Sequence, residues 1–264
     1  MFEFHKDKKR YFEIQMQVTA EDIIPFLESH GVRCSEKEVL EIGCGEAGVL
    51  NAFIQHGNKG VGVELSPSRV DHAMHFLKDE ISSGRVQIIN RDIYDVKDPL
   101  KEFGRLFDMI ILKDVIEHIP DQGRFISRIG DFLSRDGVVF FAYPPWWMPF
   151  GGHQQICRNK ILRSLPWIHL LPWPVYRFIL GLFGESQATI SELKDIKSTG
   201  INTGKMLSTI KKCNFRILGQ TYWLINPIYR FKFGIKKRRL PAFLAGIPVL
   251  RNFYTTAHYV MFGR

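Results

Sequence analysis

The chain has 264 residues, of which 45% are hydrophobic and 24% charged. That is enough for a full core in one elaborated domain, and it excludes a disordered or fibrous class. The net charge of +9 is unevenly placed: residues 137–184 and 225–252 carry eleven basic side chains and no acid, leaving the rest near −2. This excludes a uniformly basic protein and gives two segments an anionic partner or surface. The cysteines (Cys34, Cys44, Cys157, Cys213) have no metal-ligand spacing and no disulfide framework, as expected in the reducing cytoplasm. Met1 to Asp7 lacks the apolar run of a signal peptide, and no stretch reaches the roughly 18 apolar residues of a spanning helix.

Residues 1–36 read as a polar helical preface, with an amphipathic stretch at 20–30 that Pro25 flaws. Alternation then begins. Strand one at 39–42 precedes a helix at 46–56. Strand two at 60–64 precedes a helix capped by Ser66-Pro67, with Val70, Ala73, Met74, Leu77 and Ile81 on one face. Strand three falls at 86–90 and strand four at 107–112. A helix at 122–133 precedes strand five at 137–142. This order predicts an α/β, doubly wound, Rossmann-like sheet. Two long strands at 215–224 and 254–262, after a helix at 204–213, would close it as a seven-stranded sheet whose last strand is antiparallel. The domain then spans 37–264, with helical and aromatic insertions at 143–186 and 225–252.

Ligands of parallel α/β sheets sit beyond the carboxyl ends of the strands. After strand one come Glu41 and Gly43-Cys44-Gly45, whose glycines admit positive φ and bare-backbone approach of a ligand. Gly48 completes a literal G-x-G-x-x-G, and Glu64 lies 21 residues past Gly43. Both features suit an NAD-type Rossmann oxidoreductase. Glu41 weighs against it, because a carboxylate beside a pyrophosphate is electrostatically poor. Glu64 is placed to accept hydrogen bonds from ribose hydroxyls. Asp92-Ile93, after strand three, pair an acid for an adenine amino group with an apolar cover for its ring.

The set VLEIGCGEAG, GVGVELS, RDI and FDMIILKDVIEHIPD resembles the class I S-adenosylmethionine-dependent methyltransferases over residues 37–142. The resemblance implies S-adenosyl-L-methionine as cofactor, held by Glu41, Gly43, Cys44, Gly45, Glu64, Leu65, Asp92, Ile93 and Lys113. It implies methyl transfer to a small-molecule or lipid-like acceptor, with oxygen the preferred atom. Two other readings stay open: an RNA methyltransferase using the basic insertions, and a non-catalytic cofactor-binding module.

Asp114, Glu117 and His118 would share a face if helical, and His153 follows strand five closely enough to reach the same mouth. His153 or His118 is then a candidate general base. Alternatively, Glu117, His118 and His153 form a candidate site for a divalent metal. Some ubiquinone-pathway and small-RNA 2′-hydroxyl O-methyltransferases carry a similar E-H pair. A third reading makes the E-H pair an ordinary helix-start contact. Tyr143-Pro144-Pro145-Trp146 reads as a rigid, extended exit from strand five. Residues 137–184 hold four of the five tryptophans, and a helix from Pro174 would align Val175, Phe178, Ile179, Leu182 and Phe183. Such a segment suits a lid, a self-packed subdomain, or peripheral contact with an anionic membrane, at the inner surface of the cytoplasmic membrane.

Overall fold

The apolar runs bracketed by glycine turns become strands. In the computed structural model, which describes residues 7–264, they are β1 (Glu38–Ile42), β2 (Lys59–Glu64), β3 (Val86–Asn90), β4 (Phe107–Lys113), β5 (Leu133–Tyr143), β6 (Arg216–Ile225), β7 (Arg238–Arg239) and β8 (Ala257–Gly263). They form one sheet in the order β3-β2-β1-β4-β5-β8-β6-β7. β1 to β5 pair in parallel; β8 runs antiparallel between β5 and β6. Alternate residues feed two cores. Val39, Met109, Ile111 and Phe140 face one side, and Leu40, Ile110, Leu112 and Phe141 the other, as period-two geometry requires. The first six residues of the preface lie outside the described part.

Several boundaries differ from expectation. The sheet has eight strands rather than seven, because Arg238–Arg239, inside the second insertion, pairs with the outer edge of β6. β5 starts at Leu133, four residues early, and the helix before it ends at Ile129. The ladder with β4 shifts register between Phe107 and Met109. Gly137 makes this possible: a Cβ there would lie 2.8 Å from Leu133 Cδ1 and 2.9 Å from the Phe107 carbonyl. The expected 70–81 face is broken at fully buried Leu77, between a helix at Pro67–Phe76 and another at Lys78–Ser82; Met74 is exposed. Tyr254 ends a helix (Pro248–Tyr254) instead of starting a strand.

The N-terminal preface is α1 (Lys8–Val18), a π turn at Thr19–Ile23, and α2 (Ile24–Ser29). The π turn answers Pro25: proline offers no N–H and its ring presses the preceding turn, so the chain widens before the helix restarts. α1 packs on α3 (Gly48–Gln55), and the second insertion packs on the preface in turn. Ile228 joins Ile14 and Val18, while Arg230 and Lys237 pair with the fully buried carboxylate of Asp22. Two cations of the basic excursion are therefore spent on the fold. The first insertion has its own small core: Cys157, Leu162, Ile168, Tyr176 and Leu180 meet Ile190 and Leu193 of the helix Gln187–Thr199. Its entry is pinned at Trp146, whose indole lies where a Cβ on Gly200 would come within 2.5 Å. Among the described residues no helix is long and apolar enough to cross a membrane, and all four cysteines are free.

Fully buried His258 sits where β8 crosses to β5. Its Nδ1 is 2.9 Å from the Tyr143 hydroxyl, and its ring stacks 4.6 Å from that of Tyr222. Burial, reinforced by Arg251, pushes the imidazole down to about 3. The folded state thus refuses a proton that the unfolded chain accepts below its ordinary value near 6.5. Stability is full above that value and falls with acidification by about 1.4 kcal/mol per pH unit from this group. Denaturant titrations at pH 7 and pH 5 should show a larger loss for wild type than for His258→Gln; equal losses would refute the assignment.

Candidate active site

Strand order reverses between β1 and β4, which opens a crevice at their carboxyl ends. The crevice is a cavity of about 560 Å³, within the range of small-molecule sites. Glu41, Gly43, Cys44, Gly45, Glu64, Leu65, Asp92, Ile93, Lys113 and His118 all line it. Glu117 and His153 are not among its lining residues.

The glycine turn is built for close approach. Gly43 has φ +71°, its N–H donates to the Val63 carbonyl at 2.8 Å, and a Cβ would lie 2.6 Å from Val115 Cγ2. Gly45, at φ +56°, faces open space bounded only by Arg69 at 3.8 Å. Gly48 has a different role. A Cβ there would meet the Phe12 carbonyl oxygen at 2.4 Å, so it is small because α1 crosses the start of α3. The third glycine of the dinucleotide pattern therefore serves helix packing.

The acids are tied to backbone. Glu64 accepts from the Gly45 amide (2.8 Å) with one oxygen and from the Ser66 amide (2.9 Å) with the other. Carboxylate oxygens retain further lone pairs for a ligand. Asn90 Nδ2 fixes the same loop by donating to the carbonyls of Glu64 and Leu65. Asp92 accepts from the Tyr94 amide at 2.9 Å and caps a short turn that buries Ile93. Glu41 accepts from the Leu50 amide at 2.8 Å, so it caps α3, whose own N-cap residue Ala47 offers no side-chain bond. Burial holds the Glu41 carboxyl well above its usual range, with the Leu50 bond opposing. Buried Cys44 packs against Gly62, where a Cβ would lie 2.8 Å from its Sγ.

Beyond β4 the chain does not form the helix that would align Asp114, Glu117 and His118. Asp114 takes the left-handed region, at φ +57°, which aspartate tolerates. Only Ile116–His118 follow as a single 3₁₀ turn. Lys113 Nζ pairs with Asp114. Desolvation pushes the carboxyl of half-exposed Asp114 up, but Lys113, Lys232 and His153 together hold it below the usual range. Glu117 points inward, and neither buried carboxylate oxygen has a hydrogen-bond partner. Burial, and then Asp114, hold its carboxyl well above the ordinary value. His153, also left-handed at φ +55°, arrives from the first insertion. Its ring stands edge-on 5.0 Å from that of His118. Donor atoms of Glu117, His118 and His153 all lie within 4.8 Å of one another. Burial lowers both imidazoles, His153 to about 4 with His118 adding to the effect. Both are neutral free bases near pH 7.

Two contributors carry no sequence motif. α1 supplies Tyr11, Phe12 and Gln15 to the cavity wall, and Lys8 Nζ reaches Glu46 of the glycine turn at 2.8 Å. An aromatic pair in a polar helix was the only hint of this. From the second insertion, half-buried Lys232 interacts electrostatically with Asp114, Lys113 and His153; burial pushes its ammonium down to about 8 against the pull of Asp114. No spacing in the excursion distinguishes it.

Residues 12–177 match the family model described as a methyltransferase domain. The chain belongs to that family. Its fold is similar to an S-adenosylmethionine-dependent methyltransferase from Clostridium acetobutylicum (TM-score 0.55, 12% identity, covering 93% of this chain and 90% of that one). It is also similar to magnesium protoporphyrin IX methyltransferase from Synechocystis PCC 6803 with bound SAH (TM-score 0.54, 16% identity, 99% and 87%). Among curated proteins, the ubiquinone biosynthesis O-methyltransferase of Coxiella burnetii is 30% identical over 106 residues, 40% of this chain and 43% of that protein. Its namesake from Mesorhizobium japonicum is 26% identical over 133 residues, 44% and 51%. The chain thus matches about half the length of these relatives. The family membership disfavours the NAD-type oxidoreductase.

Glu41→Ala should remove the cap of α3 and orphan the buried Leu50 amide. The expected loss is about 1–2 kcal/mol in denaturant unfolding, whereas Glu41→Gln keeps an acceptor and most of the stability. A wild-type midpoint for the alanine variant would show that the cap is not supporting the helix.

Proposed function

We propose that the protein transfers the methyl group of S-adenosyl-L-methionine to an oxygen of a small-molecule or lipid-like acceptor. The observation that carries this is the convergence of Glu41, Gly43–Gly45, Glu64, Asp92 and Lys113 on one cavity at the sheet's switch point, in a chain of the methyltransferase family. The open approach at Gly45 and the carboxylates at successive strand ends suit a cationic, adenosine-bearing ligand. Bound there, the cofactor supplies an electrophilic methyl carbon on a sulfonium whose departure is neutral. Glu64 would hold the ribose hydroxyls, Asp92 the adenine amino group with Ile93 over the ring, and the glycine turn, whose Gly43, Cys44 and Gly45 amides already donate to Val63 and Glu64, would meet the methionine portion through its bare backbone. Positioning does most of the work. His153, neutral and opposite His118, accepts the proton that the acceptor hydroxyl gives up. Localisation in the cytoplasm, at the inner membrane surface for a lipid-like acceptor, belongs to the same proposal.

A second reading rests on Glu117. His118 Nε2 lies 4.0 Å from its Oε1, and a buried carboxylate without hydrogen bonds is costly unless protonated or bound to a cation. With two neutral imidazoles beside it, Glu117, His118 and His153 offer a ligand set for a divalent metal. Such an ion would orient an acceptor hydroxyl or diol and acidify it.

Glu64→Ala and Asp92→Ala should each weaken cofactor binding about tenfold or more in calorimetry. His153→Ala should lower kcat about 10²-fold while leaving cofactor affinity near wild type. Wild-type affinity in both acid variants would remove the adenosine assignment, and unchanged turnover would remove His153. Chelation separates the two readings of the histidine pair. Under the metal reading EDTA and Glu117→Gln abolish turnover, and added Mg²⁺ or Mn²⁺ restores only the chelated wild type. Full activity in EDTA leaves the base reading alone.

A further inference from the structure

The helix Trp173–Leu182 of the first insertion is built with two apolar faces. Tyr176 and Leu180 are buried in the insertion's own core. The opposite side carries Val175, Phe178 and Leu182, at i, i+3 and i+7; Phe178 is 70% exposed and Leu182 71%. Four of the five residues of the stripe that the sequence predicts (Val175, Phe178, Leu182, Phe183) face solvent, and the fifth, Ile179, leans on the insertion's own core. Pro174, Arg177, Phe178, Gly181 and Leu182 line a shallow groove along the stripe. Exposed apolar faces of this kind mark interaction sites.

Charge selects the occupant. Residues 137–184 contain no acid, and Arg158, Lys160 and Arg177 are exposed. The second insertion is also acid-free over 225–252, and Phe253, the residue that follows it, lies with its ring centroid 5.5 Å from that of Trp147 in the first. The second insertion presents Phe243 at 73% exposure together with exposed Ile247, Val249 and Leu250. A face-to-face pairing with a second copy would set these cations against themselves. Nucleic acid would use the cations but leave the aliphatic side chains wet. A ten-residue helix is too short to span a bilayer, but an apolar stripe rimmed by arginine and lysine suits the plane of an anionic one. We infer that helix Trp173–Leu182 docks the protein on an anionic lipid surface, with Phe178 and Leu182 entering the acyl boundary and the surrounding cations meeting headgroup phosphates. The inference does not depend on the reaction catalysed.

Co-sedimentation of the full chain with phosphatidylcholine vesicles, with and without phosphatidylglycerol, tests it. The expected result is binding to the anionic vesicles only, weakened by salt. The double variant Phe178→Ser/Leu182→Ser should lose about tenfold or more in partitioning, and Arg177→Glu should weaken it less. Unchanged unfolding midpoints will show that these exposed positions leave the fold intact. Four outcomes overturn the inference: no binding to anionic vesicles, equal binding to both types, a double variant that binds like wild type, and salt-sensitive RNA binding in place of vesicle binding. A wild-type dimer that the double variant dissociates, without vesicle binding, assigns the face to a second copy instead.

Discussion

The site depends on one carboxylate. Glu64 ends β2, yet its two oxygens hold the amide of Gly45, in the turn after β1, and that of Ser66, at the start of the next helix. The glycine turn costs conformational entropy to order and has few side chains to order it with. An acceptor rooted in a buried strand does this instead. Glu41 performs the same service one strand over by capping α3. Both acids thus act first on the protein's own backbone, and the pocket inherits their positions.

The mouth of the crevice is assembled from segments far apart in sequence. α1 lies over the glycine turn, the first insertion brings His153 to His118, and the second insertion is fastened to the preface through Asp22. A basic excursion could have been only a solvated face. Two of its cations lie instead in ion pairs with a buried carboxylate, which is costly unless well partnered. The excursion is thereby fixed beside the site, where Lys232 can interact with Asp114.

The parallel half of the fold was legible because its signals are local. Glycine turns, apolar runs and the acids after β1, β2 and β3 fall within a few residues of one another, and those residues line one cavity. What sequence reading missed depends on tertiary choices. The helix at 67–82 breaks at buried Leu77, Gly137 admits a register shift that lengthens β5, and two arginines add an edge strand. Asp114, Glu117 and His118 looked like a helical face, but a left-handed residue at the strand exit turned Glu117 inward. The stripe at 175–183 was read correctly as a stripe; its direction was not legible, because the helix has a second apolar side that packs. Tyr11 had only its aromatic neighbour Phe12 in a polar helix to mark it, and Lys232 had no signal, since nothing near it in sequence marks the place it reaches.

The contact at Gly48 ties two stretches of chain into one unit of change. With the Phe12 carbonyl 2.4 Å and Gln15 Cβ 2.9 Å from where a Cβ would sit, no larger residue fits position 48 while α1 stays in place. The two segments must therefore diverge together or not at all. A G-x-G-x-x-G spelled by such a contact is indistinguishable, letter by letter, from one spelled by a bound pyrophosphate. The same text arises from two unrelated pressures, and only the neighbour in space tells them apart.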